Sequence, residues 1–131
     1  LKRVLFVCVE NAGRSQMAEA FARQLGAGVL EPASAGSRPL GRIHPLVAEA
    51  MRERGLELTG HFSKGLDSLD LAGFDIIVTL CDDECPRVER QTLMHWETPN
   101  PAGHGLESVR SIRDSIEARV HELVRSLRAT H

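Results

Sequence analysis

Cys8-Val9-Glu10-Asn11-Ala12-Gly13-Arg14-Ser15 holds a cysteine and an arginine with five residues between them, followed at once by a serine. The apolar run Val4-Leu5-Phe6-Val7 precedes it and a helical pattern follows. The order buried strand, tight loop, helix places a thiol at a helix N-terminus, inside a ring of backbone N–H groups. Such a loop binds a tetrahedral oxyanion and holds a sulfur nucleophile beneath it. A free cysteine with a pKa near 8.5 is only about 3% thiolate at pH 7, whereas a pKa near 6 gives about 90%. A helix N-terminus and a neighbouring arginine both lower a thiol pKa. Arg14 offers planar, two-pronged hydrogen bonding to oxyanion oxygens. Ser15 can donate its hydroxyl to the sulfur, and Asn11 can brace the loop by bonding across it. Gly13 is expected to supply the backbone freedom that turns successive amides inward. Val9, Glu10 and Ala12 complete the cradle, with the Glu10 carboxylate expected to point outward. A strand-to-helix turn that merely contains Cys and Arg is the plain alternative, and the flanking strand, Gly13, Ser15 and the helix pattern weigh against it.

Outward from this loop, 131 residues fit one domain, expected to span 1–131. The chain is long enough to bury a core without staples. With 42% hydrophobic and 26% charged residues, the composition is that of an ordinary globular protein. A formal charge of -2 and no block of like charges argue against nucleic acid or a membrane surface as partner. No apolar stretch approaches a membrane span. Leu1-Lys2-Arg3 leads straight into the first strand, so no signal peptide is expected. Three cysteines make a poor disulfide framework and fit the reducing cytoplasm.

Val4–Val9 reads as a central parallel strand covered on both faces. From Ser15 to Leu25, Met17, Phe21 and Leu25 recur every four residues, one face of a helix that Gly26 and Gly28 end. Val29–Ala35 is a weaker strand. Pro45 suits the first turn of a helix running to about Arg54, with Gly55 stopping it. His61 to Ser68 is irregular or a short helix. Phe74–Leu80 is a second strong strand, Cys81–Arg90 a polar loop, Gln91–Trp96 a short strand, and residues 98–103 a proline-bracketed loop. Leu106, Val109, Ile112, Ile116, Val120, Leu123 and Leu127 then form a long amphipathic helix. Alternating strands and helices imply a parallel sheet with right-handed crossovers. Ligands in such sheets bind beyond the carboxyl ends of the strands. Cys8, Cys81 and the Asn100 loop all follow strands, so all three fall on that edge.

Cys81 and Cys85 sit among Asp82, Asp83 and Glu84 and read as partly exposed. They are redox partners, incidental thiols, or half of a metal site. A zinc site wants further ligands at regular spacing, and only His95 is near. No metal and no cofactor are expected. The other histidines, including His44, His61 and His104, read as surface or capping residues.

The run from Cys8 to Ala20 resembles the opening of the arsenate reductases built on the low-molecular-weight protein tyrosine phosphatase fold. The likeness continues through Ser34-Ala35-Gly36-Ser37, Gly60-His61-Phe62-Ser63-Lys64, Val78-Thr79-Leu80-Cys81, Cys85-Pro86, His95-Trp96 and Pro101-Ala102-Gly103, in the family's order. It implies an α/β, three-layer fold with a four-stranded parallel sheet of order 2-1-3-4 flanked by helices. It also implies a relay. The nucleophile, matching Cys8, attacks arsenic. A second cysteine, matching Cys81, attacks the first, and arsenite leaves. A third, matching Cys85, takes over the disulfide and presents it to thioredoxin or another thiol reductant. The loop after Cys81 should then be mobile.

Two departures stand out. The family's phosphatases carry an aspartate as general acid before the proline of the late loop, where this chain has Asn100 ahead of Pro101. Asn cannot transfer a proton, a loss typically worth about 10²–10⁴-fold. Phosphate ester cleavage should suffer most, because arsenate carries its own proton. Glu97 could stand in only through loop movement. Some family reductases hold a potassium ion on residues matching Asn11, Glu19 and Ser34 plus an acidic side chain. This chain has Lys64 in that last place, and its ammonium could replace the ion and pair with Glu19. No monovalent cation requirement is therefore expected. With no Tyr and one Trp, the chain lacks the aromatic walls that embrace a phenyl ring, which fits a small inorganic anion. The leading reading is cysteine-based reduction of arsenate to arsenite. The alternatives are a phosphatase acting on phosphate monoesters and a non-catalytic oxyanion-binding or redox-sensing protein.

Overall fold

In a computed structural model, residues 1–58, 63–81 and 93–129 are described. Four strands, β1 (Lys2–Cys8), β2 (Leu30–Gly36), β3 (Ile76–Cys81) and β4 (Leu93–Glu97), pair in parallel in the order β2-β1-β3-β4. The helices are α1 (Arg14–Leu25), α2 (Pro45–Arg52) and α3 (Leu106–Ala129). The four expected strands, their order and the three longer helices are all present, with ends displaced by at most two residues, while parts of the expected His61–Ser68 and Cys81–Arg90 segments lie outside the described residues.

β1 lies between β2 and β3, so its residues from Val4 to Cys8 are buried on both faces. That is why it reads as a continuous apolar run rather than an alternating one. On one face Val4, Phe6, Val78 and Leu80 share a core with Met17 and Phe21 of α1, Val47 and Met51 of α2, and Ile116 and Val120 of α3. On the other, Leu5, Val7 and Ile77 pack with Phe74, Leu66 and Leu71. Two short 3-10 turns, Leu66–Ser68 and Leu71–Gly73, contribute to that second layer.

α2 starts on His44, whose Nδ1 accepts the Leu46 N–H at 3.3 Å, with Pro45 as first helical residue. It stops at Arg52, two residues earlier than the pattern suggests, and the chain turns at Gly55 with φ 75°. Arg113 of α3, only 5% exposed, anchors this end of α2 through the Ala50 carbonyl (2.9 Å) and the Glu53 carboxylate (2.7 Å). Arg110 adds a two-pronged pair to Glu53. These bonds from Arg110 and Arg113, the Arg110 bond foremost, hold the Glu53 carboxyl down at about 2.

Candidate active site

The first turn of α1 is buried all round, yet it carries Arg14, Ser15, Gln16 and, one turn on, Glu19. Polar groups persist in such a place only when each has a partner. Cys8, 2% exposed and a free thiol, lies 2.8 Å from the Ser15 hydroxyl, and the Asn11 N–H points at its sulfur from 3.2 Å. Asn11 donates its side-chain amide to Ser15 Oγ (2.6 Å). Its Oδ1 accepts the Lys64 N–H and the Gln16 side-chain amide, both at 2.9 Å. The bracing role expected of Asn11 is thus met by four bonds with the sulfur at one end.

Each loop carbonyl is occupied, Asn11 O by the buried Gln16 side-chain amide at 3.2 Å. Cys8 O, Val9 O and Glu10 O accept from the Ser37, Arg38 and Leu40 amides, and Ala12 O from His44 N. Ser63 Oγ adds a second bond to Glu10 O (2.6 Å). A peptide whose oxygen is held outside turns its N–H to the other side. The amides of Glu10, Ala12 and Gly13 meet no acceptor among the described residues, the arrangement of an anion nest.

Gly13 meets two demands, one of backbone conformation and one of space. Gly13 takes φ −146° with ψ −84°, outside the common helical and strand regions, which is the freedom expected of it, and the left-handed turn beside it belongs to Asn11 at φ 52°. Asparagine is among the few non-glycine residues that accept that region. Gly13 is small because a Cβ there would meet Pro101 Cγ at 2.9 Å and Val47 Cγ2 at 3.3 Å. Pro101 therefore packs directly on the anion loop. Gly36 is required too, since its Cβ would press on Val9 O at 2.5 Å.

A small depression opens over the thiol, lined by Cys8, Glu10, Ala12, Gly13, Arg14, His44, Asn100, Pro101 and Ala102. No phenyl, phenol or indole ring is among these residues. Asn100 is at its edge as expected; its Oδ1 accepts the Ala102 N–H at 3.0 Å, fixing the carboxamide in the turn. Glu97 is exposed on β4 and does not line it. Below the loop, the buried Glu19 carboxylate accepts from Ser34 Oγ (2.6 Å) and pairs with Arg23 (2.6 Å). Lys64 Nζ lies 3.8 Å from Glu19 and 3.4 Å from Ser34 Oγ, so the ammonium occupies the position foreseen for it.

Cys81 corrects an expectation. It is fully buried rather than partly exposed, because β3 continues through it: it pairs with Glu97, and its carbonyl accepts the Thr98 N–H at 3.0 Å. It is disulfide-bonded, and its sulfur lies 3.9 Å from His95 Nδ1. Cys85 and most of the loop expected to carry the handover lie outside the described residues. Among the described residues no three His, Cys, Asp or Glu side chains converge as a metal site.

Gln16, Ser63, Thr98 and Arg119 escape the sequence reading. Arg14, 4% exposed, donates from Nη1 to the Thr98 carbonyl at 2.9 Å, and Arg119 donates to the Thr98 hydroxyl and the Glu97 carbonyl. Nothing local marks them: a Gln inside a helix and a Thr before a Pro are common surface residues. Only the three-dimensional approach of 14, 98 and 119 gives them meaning.

The model of the low molecular weight phosphotyrosine protein phosphatase family matches residues 3–131. A glutaredoxin arsenate reductase of Synechocystis is 34% identical over 128 residues, 95% of this chain and 97% of that protein. A solved structure of an arsenate reductase in the phosphate binding state superposes with TM-score 0.87 at 30% identity, covering 97% of this chain and 99% of the other. The thioredoxin-dependent arsenate reductase of Corynebacterium glutamicum gives TM-score 0.81 at 35% identity, over 100% of this chain and 64% of the other. A loop with this geometry, on this sheet and with these relatives, leaves one conclusion: the chain belongs to the low molecular weight phosphotyrosine protein phosphatase family, on the side of its arsenate reductases.

Proposed function

We propose that this protein reduces arsenate to arsenite, with Cys8 as nucleophile and Cys81 and Cys85 as the relay that carries away the oxidation. One observation carries the reading: a buried free thiol, bonded by Ser15 and the Asn11 amide, lies at the base of an amide-lined loop one strand away from a second cysteine that is disulfide-bonded. The Cys8 thiolate attacks arsenic, forming an S–As bond as one arsenate oxygen leaves as water. Arg14 and the amides of Glu10, Ala12 and Gly13 hold the remaining oxygens. The Cys81 thiolate then attacks Cys8 sulfur. The S–As bond breaks with its electron pair passing to arsenic, which leaves as arsenite, and a Cys8–Cys81 disulfide forms. The Cys85 thiolate attacks Cys81, freeing Cys8, and an external dithiol reduces the last disulfide. A free Cys8 beside a disulfide-bonded Cys81 is the arrangement at that final stage.

Asn100 favours arsenate over a phosphate ester. Its carboxamide can donate a hydrogen bond to a bound oxygen but cannot protonate a leaving alkoxide, and a protonated arsenate oxygen needs no such help. The relatives' names divide between glutaredoxin and thioredoxin as donor. We assign thioredoxin or another thiol reductant here, in the cytoplasm, where thiols are kept reduced. The test is NADPH oxidation with arsenate, thioredoxin and its reductase, repeated with glutaredoxin and glutathione. Cys8→Ser, Cys81→Ser and Cys85→Ser should each abolish turnover. Hydrolysis of an aryl phosphate that ignores both relay substitutions, with no arsenate-dependent NADPH loss, overturns the proposal in favour of a phosphatase.

A further inference from the structure

We propose that Thr98 and Arg119 are positioning residues for Arg14, and that through it they set the affinity of the loop for its oxyanion. The inference rests on the reading of the Cys8 loop as an oxyanion site. Neither residue lines the depression, so neither touches the ligand. Each acts on the one guanidinium that does.

Thr98 is 1% exposed and has no freedom left. Its N–H donates to Cys81 O at 3.0 Å. Its hydroxyl donates to Trp96 O at 2.8 Å and accepts from Arg119 Nη1 at 3.2 Å. Its carbonyl, the remaining polar group, accepts from Arg14 Nη1 at 2.9 Å. Arg119 also donates to Glu97 O at 2.8 Å, so α3 grips two consecutive residues at the end of β4. A planar guanidinium recognises two oxyanion oxygens only when its plane is held, and the Thr98 carbonyl holds it. Misplacement on the order of 1 Å is enough to spoil such a clamp. The sulfur, in contrast, is held by Ser15 and Asn11, which share no bond with Thr98 or Arg119. Anion affinity and thiol reactivity are thereby supported by separate bonds.

The experiment uses the full, reduced chain with Arg119→Ala, Arg119→Lys and Thr98→Val. Alkylation of Cys8 by iodoacetamide is followed by mass spectrometry across a titration of inorganic phosphate, and KM and kcat for arsenate are measured alongside. Arg119→Ala and Thr98→Val should weaken phosphate protection, and raise the arsenate KM, by about 5–30-fold. The anion-free alkylation rate should stay within about twofold and kcat should change less than KM. Arg119→Lys should recover part of the loss, because one ammonium can reach one of the two acceptors. Unchanged phosphate protection in both variants overturns the inference. So does an equal change in anion-free alkylation, or a loss that lysine does not relieve, since either marks general loosening. Phosphate that fails to protect the wild type overturns the oxyanion site itself, a result distinct from protection that survives in the variants.

Discussion

Removing the Lys64 ammonium tests how the buried charge under the loop is neutralised. Glu19 keeps about 8% of its side chain exposed and Lys64 about 22%, with 3.8 Å between nitrogen and oxygen. At an effective dielectric near 20, that separation corresponds to a gross attraction of about 4 kcal/mol. Three facts reduce the net figure. Lys64 is partly solvated, its own desolvation and side-chain ordering oppose the pair, and Arg23 remains on Glu19 at 2.6 Å from a side chain 56% exposed. Lys64→Gln should therefore cost about 1–2 kcal/mol of folding free energy, well below the 3–5 kcal/mol of a fully buried pair broken outright. The Lys64 N–H to Asn11 Oδ1 is untouched, so the loop brace survives the change.

The same substitution leaves the Glu19 carboxylate and Ser34 hydroxyl with Arg23 as their remaining cation, and the family resemblance predicts that a potassium ion takes the place the ammonium vacates. The assay is urea unfolding and arsenate turnover at constant ionic strength, with potassium exchanged against choline so that screening is constant. The wild type should be indifferent to the exchange. Lys64→Gln should regain stability and turnover as potassium rises, by linkage to the folded state. A wild type stimulated as strongly as the variant, or a variant as stable as the wild type in choline, refutes the reasoning.

Ser15→Ala removes the hydroxyl 2.8 Å from the sulfur and a partner of Asn11, and should slow Cys8 alkylation and arsenate turnover by about 10-fold, read by mass spectrometry and NADPH loss. Asn100→Asp should raise aryl phosphate hydrolysis by at least about 10²-fold at mildly acidic pH, where a carboxylic acid retains its proton, measured as release of the phenolate. Glu53→Gln should lower the melting temperature at neutral pH. Because the Glu53 carboxyl is held down at about 2 against 4.5 when free, its contribution is complete above about pH 4.5 and fades as pH falls toward 2. Melting curves of the two proteins should therefore converge in acid.

The sheet and helices were legible because their signals are local. β1 is an unbroken apolar run, and α1 and α3 repeat their apolar residues at helical spacing. The core of the site was legible for the same reason: Cys8, Asn11, Arg14 and Ser15 lie within eight consecutive residues. What escaped depends on approach between distant segments. Gly13 is small because of Pro101, 88 positions away, and no property of the loop alone reveals that. Cys81 was misjudged because its acidic neighbours suggest solvent, whereas β4 extends the sheet past it and Thr98 closes over its carbonyl. Thr98 and Arg119 are invisible for the converse reason: their side chains are ordinary, and their role comes from the backbone atoms they meet.

The strand pairing also constrains how the relay works. Cys8 shares the face of β1 that carries Val4 and Phe6, whereas Cys81 shares the face of β3 that carries Ile77 and Thr79. Val7 pairs with Thr79, so Cys8 falls beside Leu80 and Cys81 one residue further along, on strands about 5 Å apart, and the two cysteine side chains leave opposite sides of the sheet. A bond between the two sulfurs therefore requires the end of β3 to unpair and rotate. The cost is set by a few contacts, chiefly the Thr98 N–H to Cys81 O bond and the Cys81–Glu97 pairing at the ladder's end. At about 1 kcal/mol net per bond, such an opening lies far below global unfolding. On the proposed relay, disulfide transfer from Cys8 to Cys81 therefore waits on the opening of this strand end, and the residue whose amide closes it, Thr98, is the one whose carbonyl accepts from Arg14.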